Sequence, residues 1–446
     1  ANDHVVIVNK KDKSHATGEQ AVYTAIESGE IIELTGQPFW SDGEREGTAD
    51  KFIFDRTNNL FRAEQNAVFK VPRSKIGQLD LLTPGATPST NALSKRVVIS
   101  SDLMTFKMPP TNGPIQEMIA DRHVVIISEI DESRATAKRA VYQEATGLME
   151  LTGDPEWKVK GNEIKADILV AGRTNQFFGA RTNVHMKLPA ASFGKLASAS
   201  GADTNSAGLT NQFVEVFADD FTYATNVARF RDNIRAKTED ANGSKSTLVC
   251  NFLNITFGPS NQVEKVVASD KVFLKQIIGA AAQSRVLEKS IACDLLVLNR
   301  SPQTGFVQKI HAEKNVVGEQ AEREESGQLR KKISAETVDV KFFPSTNQIE
   351  SIIAERNVVA DRIVKTDAGE KSAQATGARA SYSAAIDVVE LTGKPTVTAE
   401  EVLLHEANVL RWNLKTGKIS GSNTPYKVTP LNSTNRLGAI RFPKKP

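Results

Sequence analysis

Apolar and polar residues alternate through short stretches of this chain, and the stretches recur. In "IIELTG", Ile32 and Leu34 fall on one side and Glu33 on the other; Met149 and Leu151 flank Glu150 in the same way, and Val389 and Leu391 flank Glu390. Period two is the signature of a strand with one buried face. In the "AVY" that precedes the first copy, Ala21 and Tyr23 share a face. Each "ELTG" ends at a Gly with Pro two residues on: Gly36 and Pro38, Gly153 and Pro155, Gly393 and Pro395. Glycine adopts positive φ freely and proline is kept out of ladder interiors. A positive-φ turn that closes a strand pair is therefore expected three times.

The copies sit inside longer matches. "ATGEQAVY", "ATAKRAVY" and "ATGARASY" precede them; "ADKFIFDRTNN", "ADILVAGRTNQ" and "ANVLRWNLKTG" follow; "ADDFTYATNVARFRDN" is a weaker copy, with Tyr223 in the place of Tyr23, Tyr142 and Tyr382. A second element, Ala-x-x-x-Val, starts at Ala1, Ala120, Ala180, Ala268, Ala312 and Ala354, and at Ala63 with one extra residue. Taken alone, "IESIIAERN" has apolar residues at helical as well as strand spacing. Its sister "VEKVVASDKV" is rich in β-branched residues, and each copy ends at His, Lys or Asn before Val, residues suited to tight turns. Strand, turn, strand is the expectation, with a bulge at the apolar pair. "RTNN" and "KTG" read as hairpin turns, and "TEDANGSKS" and "EREESGQLRKK" as exposed hairpin tips; "QIIGAAAQSRVLEKS" is ambiguous. The Gly/Ser/Ala/Thr-rich stretches Ile76 to Lys95 and Ala190 to Gln212 read as joints between modules. The whole reads as an all-β protein of stacked repeats.

The order A-x-G-x-x-A-x-Y, E-L-T-G-x-P, A-D, T-N, A-x-x-N-V resembles the OstA-like (LptA) modules of lipopolysaccharide transport. The resemblance covers most of the chain: modules at 1–75, 96–189 and 307–430, a degenerate one at 212–306, and a basic tail at 431–446. It implies an elongated, open, V-shaped two-sheet β-jellyroll whose apolar interior cradles acyl chains. It implies a periplasmic place, lipopolysaccharide or a related glycolipid as ligand, and other modules of this type as partners through edge strands, with end-to-end self-association. On the strand pattern, Ile32, Leu34, Phe52, Phe54, Leu151, Ile168, Val340, Ile353, Leu391 and Leu404 are expected to point between the sheets and line the groove. A filled, ligand-free scaffold is the competing reading, because filled interiors are the norm.

Composition narrows the chemistry. The 446 residues are 40% hydrophobic with a net charge of +3, which gives no charge signature of a nucleic-acid partner. No run approaches the ~20 apolar residues of a membrane-spanning helix. His4 and His123 share one repeat position with Asn and Lys elsewhere and read as turn residues, not metal ligands. His405-Glu406 lacks a second His four residues on, and "GEKS" lacks the spacing of a phosphate loop. No cofactor motif and no paired-carboxylate site is legible, so a non-enzyme is expected. Cys250 and Cys293 occupy matching repeat positions, shared by Ser101 and Ala335, and are expected to be small buried residues that do not pair with each other. The basic clusters "KVPRSK", "QLRKK" and "RFPKKP" read as solvated surface, with contact to lipid phosphates as the functional alternative.

Overall fold

The computed structural model describes residues 1–9, 14–26, 29–72, 96–109, 115–129, 132–159, 161–172, 177–189, 213–239, 243–258, 262–279, 285–324, 327–346, 348–367, 369–399, 402–413, 416, 418–421 and 427–430. The two joint stretches and the basic tail lie outside these residues, as do much of "KTG" and part of "TEDANGSKS". Among the described residues there are thirty strands and no helix. "IESIIAERN" lies within the strand Ile349–Thr366, and the ambiguous segment runs from one strand, ending at Ile278, to another, starting at Arg285. Neighbouring strands pair antiparallel. Two compact units divide the chain: Ala1–Leu188 with Phe217–Arg229, and Pro189–Val216 with Phe230–Pro446.

Within each unit the long strands bend at one place, and the Ala-x-x-x-Val element makes the bend. Its third and fourth residues both take positive φ: Arg122 and His123 at 64° and 51°, Lys314 and Asn315 at 61° and 54°, Arg356 and Asn357 at 63° and 54°. The strand does not reverse there. It continues through a register shift, between Glu313 and Val316 in one case and between Glu355 and Val358 in another. The turn expected between two strands is therefore a bulge within one strand. The apolar pairs upstream stay in register; the extra residue there lies just before them, as at Gln308, between the pairs Arg300↔Val307 and Asn299↔Lys309.

Burial explains the five-residue spacing. Residues one and five are buried, as with Ala354 and Val358, Ala312 and Val316, Ala180 and Val184, and Ala63 and Ala67. In the last case Ala67, not Val68, takes the fifth place, so no extra residue is needed. Between Ala354 and Val358 three exposed residues follow in a row, Glu355, Arg356 and Asn357, where a regular strand would point its middle residue inward. Left-handed backbone costs about 1–2 kcal/mol per L-residue, least for Asn and Asp. Burying the flanking aliphatic residue returns about 1.5–3 kcal/mol.

A side-chain clamp recurs on the outside of the bend. Asn66 donates to Asp50 at 2.9 Å, Asn183 to Asp167 at 2.9 Å and Asn315 to Asp294 at 3.1 Å; His123 Nδ1 lies 2.9 Å from Asp102. In one copy the partners are exchanged, and Asn251 donates to Asp270 at 2.7 Å. A small buried residue precedes each clamp partner, on the neighbouring strand for Ser101, Cys250 and Cys293 and between two short strands for Ala49 and Ala166. The two cysteines are thus corner residues. Both are free, and the strand Val263–Ile278 runs between theirs.

The "ELTG" turns are the same corner made by a broken strand. Gly36, Gly153 and Gly393 have φ of 74°, 77° and 76°. A Cβ on Gly393 would lie 2.4 Å from the Ala378 Cβ, and one on Gly153 would lie 2.6 Å from the Lys138 Cβ. The turn does not close a pair, contrary to the expectation from sequence. Gly29–Thr35 and Phe39–Ser41 both pair with the long strand Ser14–Ile26, through Gln20↔Thr35 and Thr17↔Phe39. The turn carries the chain past the bend, so each bent strand contributes its two halves to two arms, with the small residues at their junction. "RTNN" is a true hairpin turn, between Asp55 and Leu60.

Candidate functional site

Corresponding positions on either side of the bend have different side chains in the two units. Two residues before the corner Ala, the first unit has Phe61, Met118 and Phe178, and the second has Val266, Ile310 and Ile352. Two residues after the fifth position, the first unit has Phe69, Ile126 and Met186, and the second has Leu274, Gly318 and Ala360.

In the first unit the large side chains fill the interior. Phe61, Phe69, Phe106, Met118, Met149 and Phe178 are 5% exposed or less. Phe54 stacks on Phe61 at 4.6 Å, Phe69 meets Phe106 at 4.5 Å, and Trp157 meets Phe178 edge-on at 4.7 Å. Trp40 and Trp157 follow the "ELTG" prolines in Pro38-Phe39-Trp40 and Pro155-Glu156-Trp157. In the second unit the third copy has Val397 at that place, in Pro395-Thr396-Val397.

In the second unit, smaller residues form an apolar trough. One row crosses successive strands from Ile255 through Val266, Leu298, Ile310, Val340 and Ile352 to Tyr382, Val389 and Trp412, each directly opposite the next. Apart from buried Ile255, all are half-buried. The row beside it, next to the bend, is closed: Leu253, Ala268, Ala312, Ala354, Leu391 and Leu410 are buried. The facing arm begins with Leu274, Ile291, Gly318, Ile333 and Ala360. Such a surface offers dispersion contact and apolar burial; its one hydroxyl, on Tyr382, donates to Asp387 at 3.3 Å. Among the described residues no three His, Cys, Asp or Glu side chains converge on a point where a metal could bind. A separate surface hollow of about 400 Å³ is lined by Arg330, Lys332, Asp361, Ile363, Ser372, Ala373, Gln374 and Thr398.

The residues expected to line a groove divide three ways. Leu34, Phe52, Leu151, Leu391 and Leu404 are buried in the interiors of their units. Ile32, Phe54 and Val340 are half-buried on the inward faces, where Ile32 pairs with Phe54 and Val340 with Ile310. Ile168 and Ile353 are on the outer face. Ile168 lies between Thr152 and Arg181, and Ile353 between Asp339 and Ser381; their neighbours Leu169 and Ile352 point inward. A strand read one residue out of step shows its other face. Of Ile310, Val340 and Ile352, which stand in one row, the sequence reading names Val340 alone. The signal is present in the residue that ends "NAVF", "HVVI" and "NVHM" but is Gly or Ala in "NVVG" and "NVVA".

Residues 307–418 match the family described as LptA/(LptD N-terminal domain) LPS transport protein. This segment is similar to the modules of that family. It contains most of the second unit's open row, from Ile310 to Trp412, and the third "ELTG" copy. The match therefore falls on the part of the chain where Val replaces Trp and where Gly and Ala replace larger residues. No curated protein matches the chain.

Proposed function

We propose that the second unit binds the acyl chains of a lipopolysaccharide-type glycolipid along its half-buried aliphatic row, and that the protein is a non-enzymatic carrier or bridge in the periplasm of a Gram-negative envelope. The observation that supports this is the half-buried row from Val266 to Val389, most of it in the segment similar to LptA/LptD, with Val266, Ile310 and Ile352 at positions where the first unit has Phe61, Met118 and Phe178. Each methylene taken from water contributes ~0.8 kcal/mol. On this reading the modules at 1–75, 96–189, 212–306 and 307–430 are successive repeats, of which the filled ones are structural and the open ones carry ligand. The strand Asn2–Asn9, which has Val6 and Val8 60% and 58% exposed and pairs on one side with Ser14–Ile26, supports partnership with a similar module through an edge.

The test is photo-crosslinking in cells. A crosslinking residue at Ile310, Val340 or Ile352 is expected to capture glycolipid, whereas one at Ile353, on the outer face, is not. Equal capture at Ile352 and Ile353, or none at any inward position, overturns the reading in favour of a ligand-free scaffold.

A further inference from the structure

One step beyond Ile333 and Ala360 on the arm facing the aliphatic row, the inward side of the ladder changes character. Lys289, Gln320, Lys331 and Arg362 stand in line across successive strands, through Lys289↔Gln320, Gln320↔Lys331 and Lys331↔Arg362. They share the face of Ile291, Gly318, Ile333 and Ala360, two residues away on each strand. In the first unit the corresponding row is Val71, Val97 and Ser128, which are 7%, 1% and 3% exposed. Cations replace a dry row only where the unit is open.

These cations differ from those on the other face of the same strands. There Lys275 pairs with Glu288 at 3.2 Å, Arg330 with Glu319 at 3.2 Å, and Lys332 reaches Glu319 at 3.7 Å. Lys289, Lys331 and Arg362 have no carboxylate in ion-pair reach among the described residues. Glu322 lies on their face one row further out, between Leu287 and Leu329. Lys331 and Arg362 are directly opposite each other, an arrangement in which like charges destabilise a sheet. An anion between them would turn that repulsion into two charge-assisted hydrogen bonds.

We propose that Lys331 and Arg362, with Lys289, bind an anionic group, phosphate or carboxylate, on the head of the lipid whose chains lie along the facing aliphatic row. The inference rests on the lipid-carrier reading and adds to it: one arm takes the chains and the other takes the charge. "QLRKK", read from sequence as one basic cluster, is thus split by strand alternation. Arg330 and Lys332 are surface ion-pair partners, and Lys331 faces the ligand.

The experiment uses the full chain in dodecyl maltoside micelles and follows displacement of a neutral pyrene-dodecyl probe by dimyristoyl phosphatidate or dimyristoylglycerol. The wild type is expected to prefer phosphatidate by roughly tenfold, the scale of one charge-assisted contact. Lys331→Gln/Arg362→Gln is expected to lose that preference while binding dimyristoylglycerol as before, and at low salt its lipid-free form is expected to melt no lower than the wild type. Arg330→Gln/Lys332→Gln is expected to keep the preference. An undiminished preference in Lys331→Gln/Arg362→Gln overturns the headgroup site. If inorganic phosphate binds the lipid-free wild type as tightly as phosphatidate does, the site takes free phosphate and the headgroup assignment falls; competition at millimolar concentration alone is what a headgroup site predicts. Failure of both lipids to displace the probe from the wild type overturns the carrier reading itself.

Discussion

The two units have the same bend and differ in what is packed on either side of it. In the first, Phe61 meets Phe69 and Phe178 meets Trp157, all of them buried in the interior. In the second, Ile310, Ile352, Gly318 and Ala360 hold the same places and stop short. The strands, the clamps and the turns are retained. Capacity is therefore set by side-chain volume at a few positions, on a frame that does not need them to be large. Protein interiors are ordinarily close-packed, so an apolar trough left half-buried is where bound apolar matter would complete the packing.

That contrast can be attacked directly. The largest effect is expected from Phe52→Ala, which removes a fully buried ring from the filled unit and should cost about 3–5 kcal/mol; Val340→Ala on the open row should cost about 1–1.5 kcal/mol, since part of its surface stays in water. Denaturant titration of each variant measures both, and equal losses would mean the second unit is filled too. Next comes a reciprocal exchange. Trp157→Val should destabilise by about 2–4 kcal/mol by leaving a cavity, whereas Val397→Trp, at a site only 1% exposed, should cost about 1–3 kcal/mol by overpacking and weaken lipid binding in the trough, read by unfolding and by probe binding.

The bends give the controls, because they should behave alike in both units. Burial pushes the Cys250 thiol up to about 12, and burial together with the neighbouring Asp294 charge pushes Cys293 up to about 11. At pH 8 the reactive thiolate is therefore depleted, and alkylation of the native protein should be at least about a hundredfold slower than of the unfolded chain. Fast native labelling would show that the opening extends to the bend. Gly153→Val and Gly393→Val should each cost about 1 kcal/mol or more, one in each unit, and a loss confined to one of them would undo the equivalence of the bends. The smallest effect is expected from Asn183→Ala and Asn315→Ala: the clamps are exposed, so each should cost about 0.5–1 kcal/mol.

Much of this was legible in the sequence. Strand content, the positive φ of the three "ELTG" glycines, the backbone role of His4 and His123, and the burial of both cysteines follow from local alternation and from what each residue type tolerates. The bend was not legible, because two consecutive left-handed residues look the same in sequence whether a strand reverses or kinks. That ambiguity propagated: it put Ile353 on the wrong face and concealed Ile352. The open row was written in the residues that follow Asn-Val, yet a small residue there acquires meaning only when the bend shows which bulky residue stands at the same place in the other unit.

The bend also bears on how such a chain could have grown. Its instructions occupy five consecutive residues, which recur at Ala268, Ala312 and Ala354, once per antiparallel pair, with a clamp partner on the preceding strand at the first two. A tandem duplication of one pair would bring its own corner with it, keep every neighbour's polarity and register, and lengthen a sheet by about 10 Å. An odd number of strands would reverse the direction of everything downstream. The gene can therefore change the reach of its product in steps of one hairpin without redesigning either end.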